Sequence, residues 1–69
     1  MDTIIISING KSRELQKETT VLELLLADQY DVTKLAVEKN GKIVPKADFS
    51  SEIIHPEDVL EVVTFVGGG

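Results

Sequence analysis

Two Asn-Gly dipeptides, Asn9-Gly10 and Asn40-Gly41, stand between stretches of strand-forming residues. This pair of signals constrains the chain more than any other. A two-residue type I′ hairpin turn needs φ > 0 at both positions, and Asn-Gly supplies that most readily. Ahead of the first pair, Ile4, Ile6 and Ile8 alternate with Thr3, Ile5 and Ser7. That alternation predicts a strand over Thr3 to Ile8 with the even positions inward. Lys11 to Leu15 is then its polar return strand, at a sheet edge. Around the second pair, Leu35 to Lys39 is expected to run back into Lys42-Ile43-Val44. Pro45 ends that strand because it has no backbone N–H. Two hairpins account for the repeated Asn-Gly-Lys without any duplication.

Between the hairpins, Thr20-Val21-Leu22-Glu23 has the form of a capping box, with Thr20 as N-cap and Glu23 three residues on. Val21, Leu24, Leu25 and Asp28 follow at helical spacing, which predicts a helix over about Val21 to Asp28. Tyr30 should pack near its end. Leu22 and Leu26 form a second ridge at i, i+4, read as part of a broad core face, with a contact surface as the other reading. Lys46 to Ser50 fits a single helical turn anchored by Phe49, and His55-Pro56-Glu57-Asp58 fits a turn. Val59 to Val66 is apolar at all positions but Glu61 and Thr64, as befits the middle of a sheet. The helix is the one element able to cover a sheet face, and a crossover helix lets strands lie parallel. The last strand should therefore lie beside the first and parallel to it, with a hairpin on each side. The expected fold is α+β, a β-grasp with a mixed sheet of five strands and one helix across one face.

At 69 residues the chain fits one domain, here residues 1–66, followed by glycines 67–69. A domain near that size buries only about 60% of the surface its unfolded chain exposes. A single thin core has little room for the ~300 Å³ pocket a small ligand needs. There is no cysteine, so disulfides, thiolate metal sites and cysteine nucleophiles are excluded. Twelve acids against seven bases, a net charge of −5, argue against a nucleic-acid binder. No apolar run approaches the ~20 residues that span a bilayer, so no membrane role is expected. Met1-Asp2-Thr3 has no positive n-region, and a secretory leader is not expected.

The residues that could do chemistry are few. The single histidine, His55, precedes a proline in a turn and reads as a solvated loop residue. One histidine among scattered carboxylates gives neither a catalytic triad nor a zinc-ligand pattern. No glycine-rich loop between strand and helix is placed to cradle phosphate. Glu57-Asp58 is read simply as a turn before a strand.

The chain ends Phe65-Val66-Gly67-Gly68-Gly69, with the glycines directly after the central strand. One reading is a frayed terminus. The other is a thread able to pass where a Cβ would clash, reaching about 10 Å over three residues. Such a thread could deliver its carboxylate into another protein's active site. A terminal carboxyl has a pKa of about 3.3–3.7 and is ionised at neutral pH. An ionised carboxylate is a poor electrophile and must first be activated, for instance as a mixed anhydride with AMP. This chain has no nucleotide site, so a partner would do that.

The hairpin Asn40-Gly41-Lys42-Ile43-Val44-Pro45, the Glu57-Asp58 turn, the valine-rich last strand and the terminal Phe65-Val66-Gly67-Gly68-Gly69 together resemble the ThiS family. These are ubiquitin-like β-grasp sulfur carriers of thiamin (thiazole) biosynthesis, and the resemblance covers the whole chain. A Gly-Gly end is shared with ubiquitin and with MoaD, the small subunit of molybdopterin synthase. The Ile-Val-Pro hairpin and the Phe-Val-Gly-Gly end favour ThiS, while the third glycine departs from a bare Gly-Gly. The resemblance implies a cytoplasmic, non-enzymatic carrier that binds no cofactor. An adenylating partner of the ThiF type would use ATP on the Gly69 carboxyl. A persulfide relay protein would supply sulfur to give a thiocarboxylate, and thiazole synthase (ThiG) would consume it.

If Leu60 and Val62 face the helix, then Glu61, Val63 and Phe65 face solvent on the open side, with Val66 beyond them. Apolar residues exposed beside the tail suggest a partner surface. A MoaD-like sulfur carrier (the small subunit of molybdopterin synthase), a ubiquitin-like modifier and a plain interaction module with an inert tail remain alternative readings.

Overall fold

In a computed structural model that describes residues 2–65, the chain forms five strands, one α-helix and two single turns of 3₁₀ helix. The strands are β1 (Thr3–Ile8), β2 (Lys11–Gln16), β3 (Leu35–Lys39), β4 (Lys42–Val44) and β5 (Val59–Thr64). The helix, α1, is Val21–Ala27. The sheet order is β2-β1-β5-β3-β4. β1 and β5 are parallel, and the other neighbours are antiparallel. This is the expected β-grasp, with the last strand in the centre.

Both hairpins turn as Asn-Gly dictates. Asn9 and Asn40 have φ of 51° and 55°, and Gly10 and Gly41 have 80° and 83°. The alternation in β1 puts Ile4, Ile6 and Ile8 in the core. Leu60 and Val62 of β5 join them, as do Leu35 and Val37 of β3 and Val44 of β4.

At the helix start, the Thr20 side chain accepts from the Glu23 N–H and the Glu23 carboxylate accepts from the Thr20 N–H. The Val21 and Leu22 N–H groups donate to the Glu52 and Phe49 carbonyls. Donors that a helix leaves orphaned in its first turn are thus satisfied by the segment that follows β4. Phe49 anchors that segment in the core, and Thr20 bridges to Ile53.

Details differ from the sequence reading, among them that β5 ends at Thr64 and leaves Phe65 outside the strand. Asp28 is the C-cap rather than a helical residue. A 3₁₀ turn at Val32–Lys34, capped by the Asp31 side chain, precedes β3. Leu26 is not part of the core face and is 56% exposed. Each helical residue turns about 100°, which places Leu26 roughly 150° from the middle of the Val21, Leu24 and Leu25 stripe. Leu22 lies nearer the rim and is half-buried against the core.

Candidate functional site

The terminal glycines follow β5 in the sequence, so the way β5 is held frames the candidate site. Val66, Gly67, Gly68 and Gly69, singled out from the sequence, lie outside the described residues. Glu61, Val63 and Phe65 are all exposed on the uncovered side of the sheet, as expected. Val63 is 58% exposed and Phe65 53%. Ile43 and Val59 are exposed apolar neighbours that the sequence reading did not name.

The strand register groups these residues. Val63 lies opposite Ala36, and Glu61 lies opposite Glu38, which in turn lies opposite Ile43. Like charges directly opposite on neighbouring strands are destabilising. The open face therefore holds an acidic row beside an apolar patch, next to the root of the tail.

The start of β5 is fixed by Asp58, which sequence reasoning had left as an ordinary turn residue. It is buried and accepts hydrogen bonds from the His55 N–H at 2.8 Å and the Asn40 Nδ2 at 2.9 Å. Lys39 Nζ, which also pairs with Glu52 at 2.9 Å, lies 3.4 Å from it. Burial pushes the Asp58 carboxyl up, but the His55 N–H, the Asn40 amide and Lys39 together bring it below the usual value.

Asn40 also accepts from the Val59 N–H at 2.9 Å. Asn9 performs the matching task further along β5. Its Oδ1 accepts from the Val62 N–H at 2.8 Å, and its Nδ2 donates to the Val62 carbonyl at 3.3 Å. Each hairpin asparagine thus serves both its turn and the central strand.

On the covered side, Arg13 of β2 forms a two-pronged pair with Asp28, at 2.6 and 2.7 Å. Asp28 sits at the helix C-terminus, where the helix dipole disfavours an anion and no basic residue occupies the last turn. The Arg13 guanidinium supplies the missing cation and, by its hydrogen bonds, lowers the Asp28 pKa. Asp28 and Asp58 are both shifted below their unfolded value, so each contributes stability above that value and loses it as pH falls through its folded pKa. Stability should therefore decline as pH drops from about 4, near the ordinary Asp pKa of about 3.9. Denaturant melts between pH 7 and 2.5 measure this, and Asp28→Asn should flatten the decline.

A surface groove of about 610 Å³, lined by Ile4, Ile53, Ile54 and Pro56, exceeds the volume expected for so thin a core. It lies at the N-terminal end of β1, and its titratable neighbours Lys17, Glu18 and His55 are solvent-exposed. None of Glu61, Val63 and Phe65 lines this groove.

Comparison with known proteins shows a family. The ThiS family profile matches residues 6–69. The sulfur carrier protein ThiS of Bacillus subtilis is 35% identical over 66 residues, covering 94% of this chain and all of that protein. A thiazole synthase of Paramagnetospirillum magneticum is 42% identical over 62 residues, covering 90% of this chain. The chain spans about a fifth of the length of the thiazole synthases it matches, 19% and 20%. The crystal structure of the thiamine biosynthesis protein ThiS from Geobacter metallireducens superposes with a TM-score of 0.81 at 28% identity, covering 96% of this chain and all of that one.

Proposed function

This chain belongs to the ThiS family, and we propose that it is a sulfur carrier of thiamin biosynthesis that bears its cargo on the carboxyl of Gly69. The observation that carries the reading is the reach of the family match, which runs to residue 69 and so includes all three glycines. The Gly69 carboxylate must be activated before sulfur can displace oxygen. An adenylating enzyme of the ThiF type would let a carboxylate oxygen attack the α-phosphorus of ATP, expelling pyrophosphate. A persulfide sulfur from a relay protein would then attack the acyl carbon and expel AMP. Reductive cleavage of the resulting disulfide by a thiol would free the thiocarboxylate. ThiG would consume it, a reading supported by the similar stretches in two thiazole synthases. The chain itself supplies no catalytic group and binds no cofactor, and the carrier works in the cytoplasm beside the enzymes it serves.

Incubation with a ThiF-type enzyme, ATP and a persulfide donor tests this by intact mass. The chain should gain the mass difference between sulfur and oxygen. A chain found instead in branched conjugates would be a modifier, and a chain with neither change would have an inert tail.

Glu61, Val63, Phe65 and Val66 are proposed to meet the adenylating enzyme, with the acidic row facing a basic side chain of that partner. Val63→Asp and Phe65→Asp should each weaken binding by about 2 kcal/mol or more, since an unpaired charge is buried at the interface. Both positions are exposed in the free chain, so the melting curve should hardly move. Titration calorimetry against the enzyme checks it, and undiminished binding by both variants would show the patch to be incidental.

A further inference from the structure

β1 and β5 pair over only two positions, Ser7 with Val59 and Ile8 with Leu60. β1 then turns away at Asn9 into β2, while β5 runs on to Thr64. The even residues of β5 direct their backbone groups towards β1. The Asn9 N–H donates to the Leu60 carbonyl at 2.9 Å, the last main-chain bond from β1 to β5 among the described residues. At the next even residue, Val62, the partner is the Asn9 side chain, with both the N–H and the carbonyl engaged. A carboxamide carries the same donor and acceptor as a peptide unit. The side chain of Asn9 therefore stands in for the residue that β1 lacks.

The consequence falls on the root of the tail. Beyond Val62, the main chain of β5 is bonded, among the described residues, only on the β3 side, ending with the Phe65 N–H on the Lys34 carbonyl. Among the described residues Asn9 is thus the outermost tie on the β1 side, and Val63 and Phe65 project from the stretch just past it.

We infer that Asn9 is a positioning residue for tail delivery, fixing the point at which β5 is released from the sheet. The inference rests on the carrier reading above. Without the Asn9 amide, the end of β5 pivots on β3 alone. Each engagement of the tail in an adenylating site would then have to order a looser root. Preorganisation of that kind is lost from the rate, because a misplacement near 1 Å costs about 100-fold.

The substitution Asn9→Gly isolates the effect. Glycine accepts the positive φ of this position, so the turn is kept and only the amide is removed. With a ThiF-type enzyme and ATP, well below the melting temperature of both chains, kcat for pyrophosphate release should fall about ten- to a hundredfold, with KM nearly unchanged. Hydrogen exchange of the Val62 amide should quicken while that of core amides in β3 does not. Asn9→Asp keeps an acceptor for the Val62 N–H and should recover part of the rate. A residue that served stability alone would leave kcat unchanged in fully folded protein. Faster exchange at Val62 with a normal kcat would therefore overturn the inference, as would unchanged exchange at Val62. A wild-type chain that the enzyme does not adenylate would overturn the carrier reading, and this inference with it.

Discussion

A chain lacking Gly69 is adenylated about 100-fold more slowly than the full chain, because the reacting carboxyl is withdrawn by one residue. The shortened chain still ends in glycine, Gly68, so chemistry at the terminus is unchanged. What changes is reach, by about 3.5 Å. In the proposed complex the body docks through the sheet, and the distance from docked sheet to acyl carbon is set by the number of residues between them. Addition of one alanine after Gly69 is more damaging still. It moves the free carboxyl outward and gives its bearer a Cβ where the proposed thread has none. Both variants keep the fold, since the strand ladder ends at Thr64 and Phe65. Pyrophosphate release with a ThiF-type enzyme, beside a circular dichroism melt, reads the two effects separately. Full activity without Gly69 would place the register at Gly68, and full activity of the extended chain would end the carrier reading.

Leu25→Ala lowers the unfolding free energy by about 2–5 kcal/mol, the range for a buried leucine truncated in a core that relaxes only partly. Leu25 has no exposed surface and lies in the helix stripe that faces the sheet. At about 0.05–0.15 kcal/mol per residue, a 69-residue chain has roughly 3–10 kcal/mol in all. One substitution in the single α-helix of the described residues therefore removes a large share of the stability. Urea melts measure it, and an unchanged midpoint would mean that α1 does not carry the core as described. Leu26→Ala is the control: on the same helix but outside the stripe, it should change stability little.

What could be read along the chain was whatever depends on neighbours. Asn-Gly dictates its own turn through the φ each residue tolerates. Thr20 and Glu23 cap a helix because three residues close one turn. The period-two run Ile4, Ile6, Ile8 fixes which side of β1 is buried, and the largely apolar character of β5, interrupted only at Glu61 and Thr64, fixes its central place. From these the sheet order followed, since one helix crossover leaves few arrangements. The tail residues Gly67 to Gly69, and with them the family, were legible for the same reason: they form one contiguous motif.

What the tertiary structure decided was which polar groups meet. Arg13 and Asp28 are 15 residues apart, Asn40 and Asp58 are 18, and Asn9 and Val62 are 53. Periodicity records how often a residue faces the core, and it holds no information about the partner that strand register brings opposite. Asp58 therefore read as a plain turn residue, and Asn9 and Asn40 as turn formers only. The positive φ of Glu18, Gln29 and Glu57 was hidden likewise, because no glycine marks those positions. Leu26 shows the same limit in an apolar residue. Sequence spacing gave the ridge it belongs to, but the rotation of α1 on the sheet, set by how Val21, Leu24 and Leu25 pack together, left it facing solvent.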